Sequence, residues 1–222
     1  AEFARGLDAL GFELVASGGT AAFLEEHGLE VTHVEDVTHA PEMLGGRVKT
    51  LHPRIHGGIL ARRDRADDLD ALDEQEIEPF DLVCVNLYPF ASIAAKRGAR
   101  MEDAVEMIDV GGPSMLRAAA KNFAHVTPVC EPSQYDAVLS ELEQHGAVSA
   151  ETRHRLAAEA FACTAAYEAA IARWFGEGAG LPDTLFLALE KVQDLAYGEN
   201  PHQRAAYYRE VGARRPLMSH VE

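Results

Sequence analysis

Apolar and polar positions change period along the first part of the chain, as expected where strands alternate with helices. Short, nearly continuous apolar runs predict buried strands. They occupy residues 12–16, 31–37, 80–87 and 126–130. Apolar residues that recur every three or four positions predict amphipathic helices. These cover residues 21–27, 53–63, 67–76, 91–97, 102–108 and 113–123. The alternation predicts an α/β fold in which a mainly parallel sheet is covered on both faces.

The later part of the chain is predicted to be mostly helical. Residues 131–145 begin beside a proline and end before a glycine, and residues 151–175 carry apolar side chains at steps of three and four. Glycines follow within residues 176–183, where we expect a domain boundary, and residues 185–189 predict one further strand. We therefore expect three parts, namely a core over 1–130, a helical extension over 131–180 and the start of a second domain over 181–222.

Both ends of the sequence indicate a piece of a longer protein. The chain has no initiator Met and opens on a helical pattern, although a strand would normally precede that helix in an α/β protein. The last residues carry no helix stop. We therefore expect that the first strand of the sheet is missing and that the second domain is truncated.

Composition and charge restrict the class of partner. The 222 residues are 47% hydrophobic and 25% charged, which is ordinary for a folded globular protein. The formal net charge of −16 argues against a nucleic-acid groove or an anionic membrane surface, and no segment has the length of a membrane span or the pattern of a secretory signal. Cys84, Cys130 and Cys163 are too widely spaced to indicate a disulfide framework or a zinc site. A cytoplasmic location is therefore expected.

The first candidate site is a glycine pair between a predicted strand and a predicted helix. Ser17-Gly18-Gly19-Thr20 would present backbone N–H groups and two hydroxyls at a helix start, where a phosphate binds well. A simple turn explains the same residues equally well. The segment matches neither the dinucleotide-binding motif nor the P-loop.

A second loop, residues 45–53, concentrates positive charge within an acidic chain. Arg47 and Lys49 lie between two glycines and a proline, and Thr50 adds a hydroxyl. Such a loop suits an anionic ligand. His52 and His56 are four residues apart, but no third ligand is evident, so a metal site is not expected.

Further polar residues stand at predicted strand ends and helix starts. Asn86 and Tyr88 close the third predicted strand, at the carboxyl edge where open α/β sheets bind ligands. Asp109 precedes Gly111 and a helix start, where it would either cap the helix or face a ligand. Lys121 lies on the polar side of the same helix, and its spacing leaves open whether it faces solvent or the site.

These segments occur in an order that resembles the PurH family of bifunctional purine-biosynthesis enzymes. Residues 17–20, 45–53, 86–90, 108–112 and 118–122 resemble its N-terminal IMP cyclohydrolase domain, and residues 197–203 resemble the start of its formyltransferase domain. The resemblance implies a three-layer, methylglyoxal-synthase-like fold. It also implies the last step of purine biosynthesis, in which 5-formamidoimidazole-4-carboxamide ribotide (FAICAR) closes to inosine monophosphate (IMP) with loss of water and without a cofactor.

The resemblance further implies roles for individual residues. Lys121 would be the proton donor and acceptor, assisted by Asp109, Tyr88 and Lys49. The residues implied in substrate binding are Ser17, Gly18, Gly19 and Thr20 at the phosphate, and Arg47, Val48, Thr50, Val85, Asn86, Val110 and Gly111 around the base. Tyr197 would contact the substrate of the second domain, although Ala196 stands where the family commonly has an Arg. That domain would use 10-formyltetrahydrofolate as a cosubstrate, and the intact protein would be a homodimer.

Two other functions fit the same residues. A methylglyoxal-synthase-like lyase would use Asp109 as its base beside the Ser17 phosphate site. A nucleotide-binding or dimerisation module without catalysis would bind IMP but not turn FAICAR over.

Overall fold

The computed structural model describes residues 1–87, 90, 100–176 and 180–211. The chain divides into two compact units. The first unit consists of Ala1–Leu87 and Asp109–Thr164, and the second unit consists of Tyr88–Ile108 and Ala165–Glu222.

The described helices and strands follow the chain in this order. The helices are α1 (Glu2–Ala9), α2 (Gly18–Glu26), α3 (Val34–Thr38), α4 (Pro53–Leu60), α5 (Ala66–Glu74), α6 (Met101–Glu106), α7 (Gly111–Lys121), α8 (Tyr135–His145) and α9 (Ala150–Phe175). The strands are β1 (Val15–Ala16), β2 (Thr32–His33), β3 (Leu82–Cys84), β4 (Thr127–Val129), β5 (Leu189–Leu195) and β6 (Ala205–Glu210). Single 3₁₀ turns lie at Leu44–Gly46 and Pro132–Gln134. Within the described ranges, none of the helices combines the length and the apolar character needed to cross a bilayer.

The strands of the first unit pair in parallel, as the alternation of elements predicts. β1 pairs with β2, with Val15 opposite Thr32, and β3 pairs with β4, with Leu82 opposite Thr127. Parallel neighbours require a crossover connection, and helices of this unit supply it in both cases. The predicted α/β class with parallel strand pairs is thereby confirmed.

Helices cover both faces of the β3–β4 pair. Successive residues of a strand point to opposite faces, so Leu82 and Val83 mark the two sides. Leu82 packs against the cluster that contains buried residues of α1, α8 and α9, and Val83 belongs to the cluster that contains Ile59 of α4 and Ala119 of α7. The prediction of a sheet covered on both faces therefore holds for this pair.

The second predicted strand is wrong over most of its length. Only Thr32–His33 is extended, and Val34–Thr38 is helical. The β-branched residues of this segment favour a strand, but Glu35 and Asp36 occupy the first turn of α3, where carboxylates interact favourably with the helix dipole. The turn that is thereby formed places Glu35 near the loop that contains Lys49.

The strand predicted for residues 185–189 is also wrong. In the second unit, β5 is Leu189–Leu195 and pairs antiparallel with β6, with an irregular register between Lys191 and Gln193. The prediction followed the apolar run before residue 189, whereas β5 is an exposed strand of mixed polarity. Pairing with β6 holds this strand, together with an ion pair of 2.6 Å between Arg209 and Glu190. The helix predicted over 91–97 lies outside the described residues.

Candidate functional site

Helix α2 begins at the glycine pair itself, three residues before the predicted start. Ser17 is extended and precedes the helix, and Gly18 has a φ of +52°, a conformation that side chains disfavour. The backbone N–H groups of Gly18 and Gly19 therefore belong to the first turn and face the open end of the helix. This turn is the one for which the sequence predicts phosphate binding.

The ammonium group of Lys49 lies beside the start of α2. A Cβ atom on Gly18 would be 3.3 Å from Lys49 Nζ, so the absence of a side chain there leaves room for the ammonium. Lys49 Nζ is 2.8 Å from Glu42 Oε2 and 4.0 Å from Glu35 Oε1, and only 19% of the lysine side chain is exposed. The two carboxylates thus hold a cation at the positive end of a helix.

The loop before Lys49 folds back because of its glycines. Gly45 and Gly46 have φ values of +62° and +85°. A Cβ on Gly46 would lie 2.7 Å from Lys49 Cε and 3.1 Å from Glu42 Oε1, so a side chain at this position would displace the ion pair. The glycine pair therefore determines where the ammonium lies.

Thr50 contacts the start of the second glycine-initiated helix, α7. Its Oγ1 occupies the space in which a Cβ of Gly111 would stand. The Gly112 N–H donates to Asp109 Oδ1 at 2.9 Å, and a Cβ on Gly112 would lie 3.0 Å from Val85 Cγ1. The carboxylate of Asp109 therefore caps α7, and Thr50, Asp109 and Val85 surround its first turn.

Lys49 and Thr50 bring the two helix starts to one place. Their Cα atoms are about 3.8 Å apart because the residues are consecutive. One residue contacts Gly18 of α2 and the other contacts Gly111 of α7. Two positive helix ends and a cation therefore lie around one region of the first unit, with the carboxylate of Asp109 beside it. This arrangement suits a phosphorylated ligand that must also exchange a proton.

Asn86 is held at the carboxyl end of β3 by two hydrogen bonds. Its Nδ2 donates to the Cys130 carbonyl at 3.1 Å, and the Tyr135 hydroxyl donates to its Oδ1 at 2.5 Å. Burial raises the pKa of Tyr135, so this hydroxyl remains a proton donor at neutral pH. Asn86 thus has a fixed orientation on the edge where the other site residues lie.

Lys121 is not brought together with Lys49 and Asp109 in this chain. It is the last residue of α7, and ten steps along the helix separate it from Gly111, which is about 15 Å at 1.5 Å per residue. The two ends of a helix that packs on a sheet point to opposite edges of that sheet. Lys121 is exposed at the far end of α7, and its role as proton donor and acceptor stays a prediction.

The remaining predicted residues take several positions. Arg47 and Val110 are exposed, and Val48 is half-buried within the Lys49 loop. Tyr88 lies outside the described residues. Tyr197 is an exposed residue of the second unit.

Three contributions were not expected from the sequence. Glu35 and Glu42 hold Lys49, and His52 accepts the Arg54 N–H at 3.2 Å, so His52 caps α4. The acidic partners depend on α3 being a helix and on the reversal at residues 45 and 46. His52 followed by Pro53 is a sequence signal for the start of a helix, because proline is favoured at the first helical position.

Comparisons with known proteins agree on one family. The family model described as MGS-like domain matches residues 1–114, and the model described as AICARFT/IMPCHase bienzyme matches residues 119–222. A protein of Listeria monocytogenes serotype 4b, named bifunctional purine biosynthesis protein PurH, is 55% identical over 212 residues, which are 95% of this chain and 42% of that protein. The proteins of the same name from Myxococcus xanthus and Halalkalibacterium halodurans are 54% and 50% identical, over 95% and 99% of this chain and 41% and 43% of theirs.

A solved structure resembles the fold as well. The crystal structure of ForH aligns with a TM-score of 0.69 at 42% identity, over 79% of this chain and 92% of that chain. The chain thus spans somewhat less than half of the length of the PurH relatives, while it spans nearly all of the ForH chain.

Proposed function

The chain belongs to the PurH family of bifunctional purine-biosynthesis proteins and carries its MGS-like domain, and we propose that it is an IMP cyclohydrolase. The reaction is the ring closure of FAICAR to IMP with loss of water. The site lies in the first unit, at the starts of α2 and α7.

One observation carries this proposal: the consecutive residues Lys49 and Thr50 contact the first glycines of two different helices. A nucleotide monophosphate has a dianionic phosphate at one end and a polar base at the other. The start of α2, with Ser17 to Thr20, binds the phosphate through N–H groups and hydroxyls. The start of α7 receives the base, so the substrate spans the two helix ends.

The chemistry requires a folded-back substrate and two proton transfers. The carboxamide nitrogen attacks the formyl carbon and forms the new C–N bond, and the formyl oxygen gains a proton in place of the one that this nitrogen loses. The C–O bond then breaks as the formamide nitrogen loses its proton and forms a C=N bond, and the oxygen takes up this second proton and leaves as water. A site that holds the nitrogen near the formyl carbon lowers the activation free energy, because the substrate has already lost its conformational freedom on binding. Asp109 accepts the proton of the attacking nitrogen, and the backbone N–H groups near Lys49 and Thr50 stabilise the charge that develops on the formyl oxygen.

The other predicted substrate contacts extend this site. Val85, Asn86, Val110 and Gly111 border the base side, and Arg47 and Val48 border the loop side. Lys121 as proton donor and acceptor, and Tyr88 as an assisting group, remain part of this proposal, as the resemblance to the PurH family implies. In this chain Lys121 lies about 15 Å along α7 from the helix start.

The proposal is tested by following the conversion of FAICAR to IMP by absorbance, with the 222-residue chain. Asp109→Asn keeps the helix cap, because Asn and Asp are equally good caps, and removes the base. We expect Asp109→Asn to lose at least about 100-fold in kcat, which is the lower end of a general-base contribution. Asp70→Asn, an exposed change on α5, is the matched control and should retain activity.

Three results would overturn the assignment. Full turnover by Asp109→Asn would remove the proposed base. Conversion of dihydroxyacetone phosphate without conversion of FAICAR would favour the lyase, and tight binding of IMP with no turnover would favour a binding module.

The finer properties of the intact protein are part of the same proposal. The longer protein also transfers a formyl group from 10-formyltetrahydrofolate to the aminoimidazole ribotide, with Tyr197 as a substrate contact, and it acts as a cytoplasmic homodimer. The first activity needs no cofactor. Light scattering on the intact protein measures its mass, and a monomer at micromolar concentration would contradict the dimer.

A further inference from the structure

Two cysteines that the proposed reaction does not use face one cavity of the first unit. Cys130 follows β4, and Cys163 lies on α9. Both line a cavity of about 470 Å³, together with Gln134, Arg155 and Glu159. Cys130 is 3% exposed, whereas Cys163 is half-buried and is therefore accessible from the cavity.

The two thiols are neighbours. Both cysteines pack in one cluster with Ala157 and Ala160, and each thiol is the main influence on the pKa of the other. Two neighbouring sulfur atoms on one cavity need only a modest movement to reach bonding distance. The sulfur atoms of Cys130 and Cys163 are therefore placed to form a disulfide bond with each other.

Gln134 holds Cys130 in this position. Its Oε1 accepts the N–H groups of Cys130 and Glu131 at 2.8 and 3.0 Å, and its Nε2 lies 3.7 Å from Cys130 Sγ. The same Nε2 donates to Glu159 Oε2 at 2.6 Å, which ties the segment after β4 to α9. The contact between the cysteines is thus supported by a hydrogen-bonded frame.

The two sulfurs have different properties. Interaction with the neighbouring Cys130 thiol lowers the pKa of Cys163, and the same interaction raises the pKa of Cys130. An accessible thiol of lowered pKa beside a second thiol is the usual arrangement of oxidation-sensitive cysteines. Cys163 is suited to attack an oxidant, and Cys130 is suited to resolve the product.

We propose that Cys163 and Cys130 form a thiol-oxidation site that a hydroperoxide converts into an intrachain disulfide. The Cys163 thiolate attacks hydrogen peroxide, the O–O bond breaks, and the released hydroxide takes a proton to become water, which leaves a sulfenic acid on Cys163. The Cys130 sulfur then displaces the second hydroxide, which leaves with the Cys130 proton as water. Two thiols and one peroxide thus become one disulfide and two water molecules.

Oxidation at Cys130 would reach the candidate site through the backbone. The carbonyl of Cys130 accepts the hydrogen bond from Asn86 Nδ2, so a movement of residue 130 changes the orientation of a residue on the substrate side. The oxidation site itself does not depend on the proposed function, and its test needs no substrate.

The test uses the full chain, treated with hydrogen peroxide at low protein concentration, alkylated and digested with trypsin without reduction. Trypsin separates the two cysteines into the peptides 122–153 and 156–173. We expect a linked pair of these peptides that has lost two hydrogen atoms, with the loss of two free thiols per chain. Cys84→Ser, which removes the exposed third cysteine, should give the same link.

Cys163→Ser should abolish the link and leave Cys130 unmodified, because the buried thiol then lacks its reactive partner. Circular dichroism confirms that this variant is folded, and a second variant, Cys130→Ser, should stop the reaction at the sulfenic acid of Cys163. Oxidation of Cys84 alone, or links between Cys84 and either of the other cysteines in the native chain, would overturn the proposal. A linked pair of peptides that forms only in urea would also overturn the proposal.

Discussion

Replacing Lys49 with methionine removes a charged side chain that lies beside the start of α2 and belongs to the loop whose Thr50 contacts the start of α7. Methionine keeps most of the side-chain volume and removes the charge. The expected change in stability is small, because the ion pair with Glu42 is partly exposed, at 19% and 49%, and such pairs contribute about 0–1 kcal/mol.

The expected change in IMP affinity is much larger. A charge-assisted hydrogen bond contributes about 1.5–3 kcal/mol, which corresponds to roughly a 10- to 150-fold rise in Kd. The loss should lie toward the upper end of this range, because Glu35 and Glu42 then face the phosphate without the cation between them. The low exposure of Lys49 also limits screening by salt.

Isothermal titration of the chain with IMP measures this effect, and a thermal melt measures stability in parallel. Lys191→Met is the matched control, since Lys191 is an exposed lysine of β5 in the second unit that is paired with Asp194 at 3.1 Å. The reasoning fails if Lys49→Met binds IMP as the unchanged chain does, or if Lys191→Met loses as much affinity.

Three further changes test other parts of the account. Gly111→Ala places a Cβ on Thr50 Oγ1 and should destabilise the chain by about 1–3 kcal/mol in a thermal melt, and the second change Thr50→Ala should restore much of that loss. Glu141 accepts hydrogen bonds from Ser149 N–H and the Thr152 hydroxyl, which lower its pKa. Its carboxylate therefore stabilises the fold above the usual pKa of about 4.3, and this contribution is lost as the pH falls through the lowered pKa. Glu141→Gln should thus melt earlier at neutral pH, with a deficit that disappears in acid, and an equal deficit at both pH values would contradict this. Lys121→Met should leave IMP affinity within about twofold, since the residue lies about 15 Å along α7 from the site, and a loss equal to that of Lys49→Met would require a site of a different shape.

Much of the fold could be predicted because a strand that is buried on both faces needs apolar residues at nearly every position, and such a run is easy to recognise in a sequence. The runs around β3 and β4 are nearly continuous in apolar residues, which is typical of strands in a covered parallel pair. The error at α3 has the opposite cause: its valines and threonine favour a strand, and carboxylates at the first turn outweigh them. The strand β5 was missed because it packs little and depends on its partner for its position.

The candidate site was predictable in its residue types and less so in its geometry. The two glycine-initiated helices and the loop with Lys49 are visible as motifs, and a binding site at the carboxyl edge of the strands is expected for a parallel α/β sheet. The holding of Lys49 by Glu42 depends on the left-handed backbone at residues 45 and 46, which no periodicity indicates. The place of Lys121, in contrast, follows from the helix alone, because a rise of about 1.5 Å per residue separates it from Asp109.

The central claim is that the starts of α2 and α7 bind the two ends of one nucleotide. Nuclear magnetic resonance on the 24.1 kDa chain, labelled with nitrogen-15 and titrated with IMP, tests it directly through the backbone amides. The account predicts that the largest and simultaneous shifts occur at Gly18, Gly19, Thr20, Gly111 and Gly112. Shifts at only one of the two helix starts, or confined to the cavity beside Cys163, would contradict it.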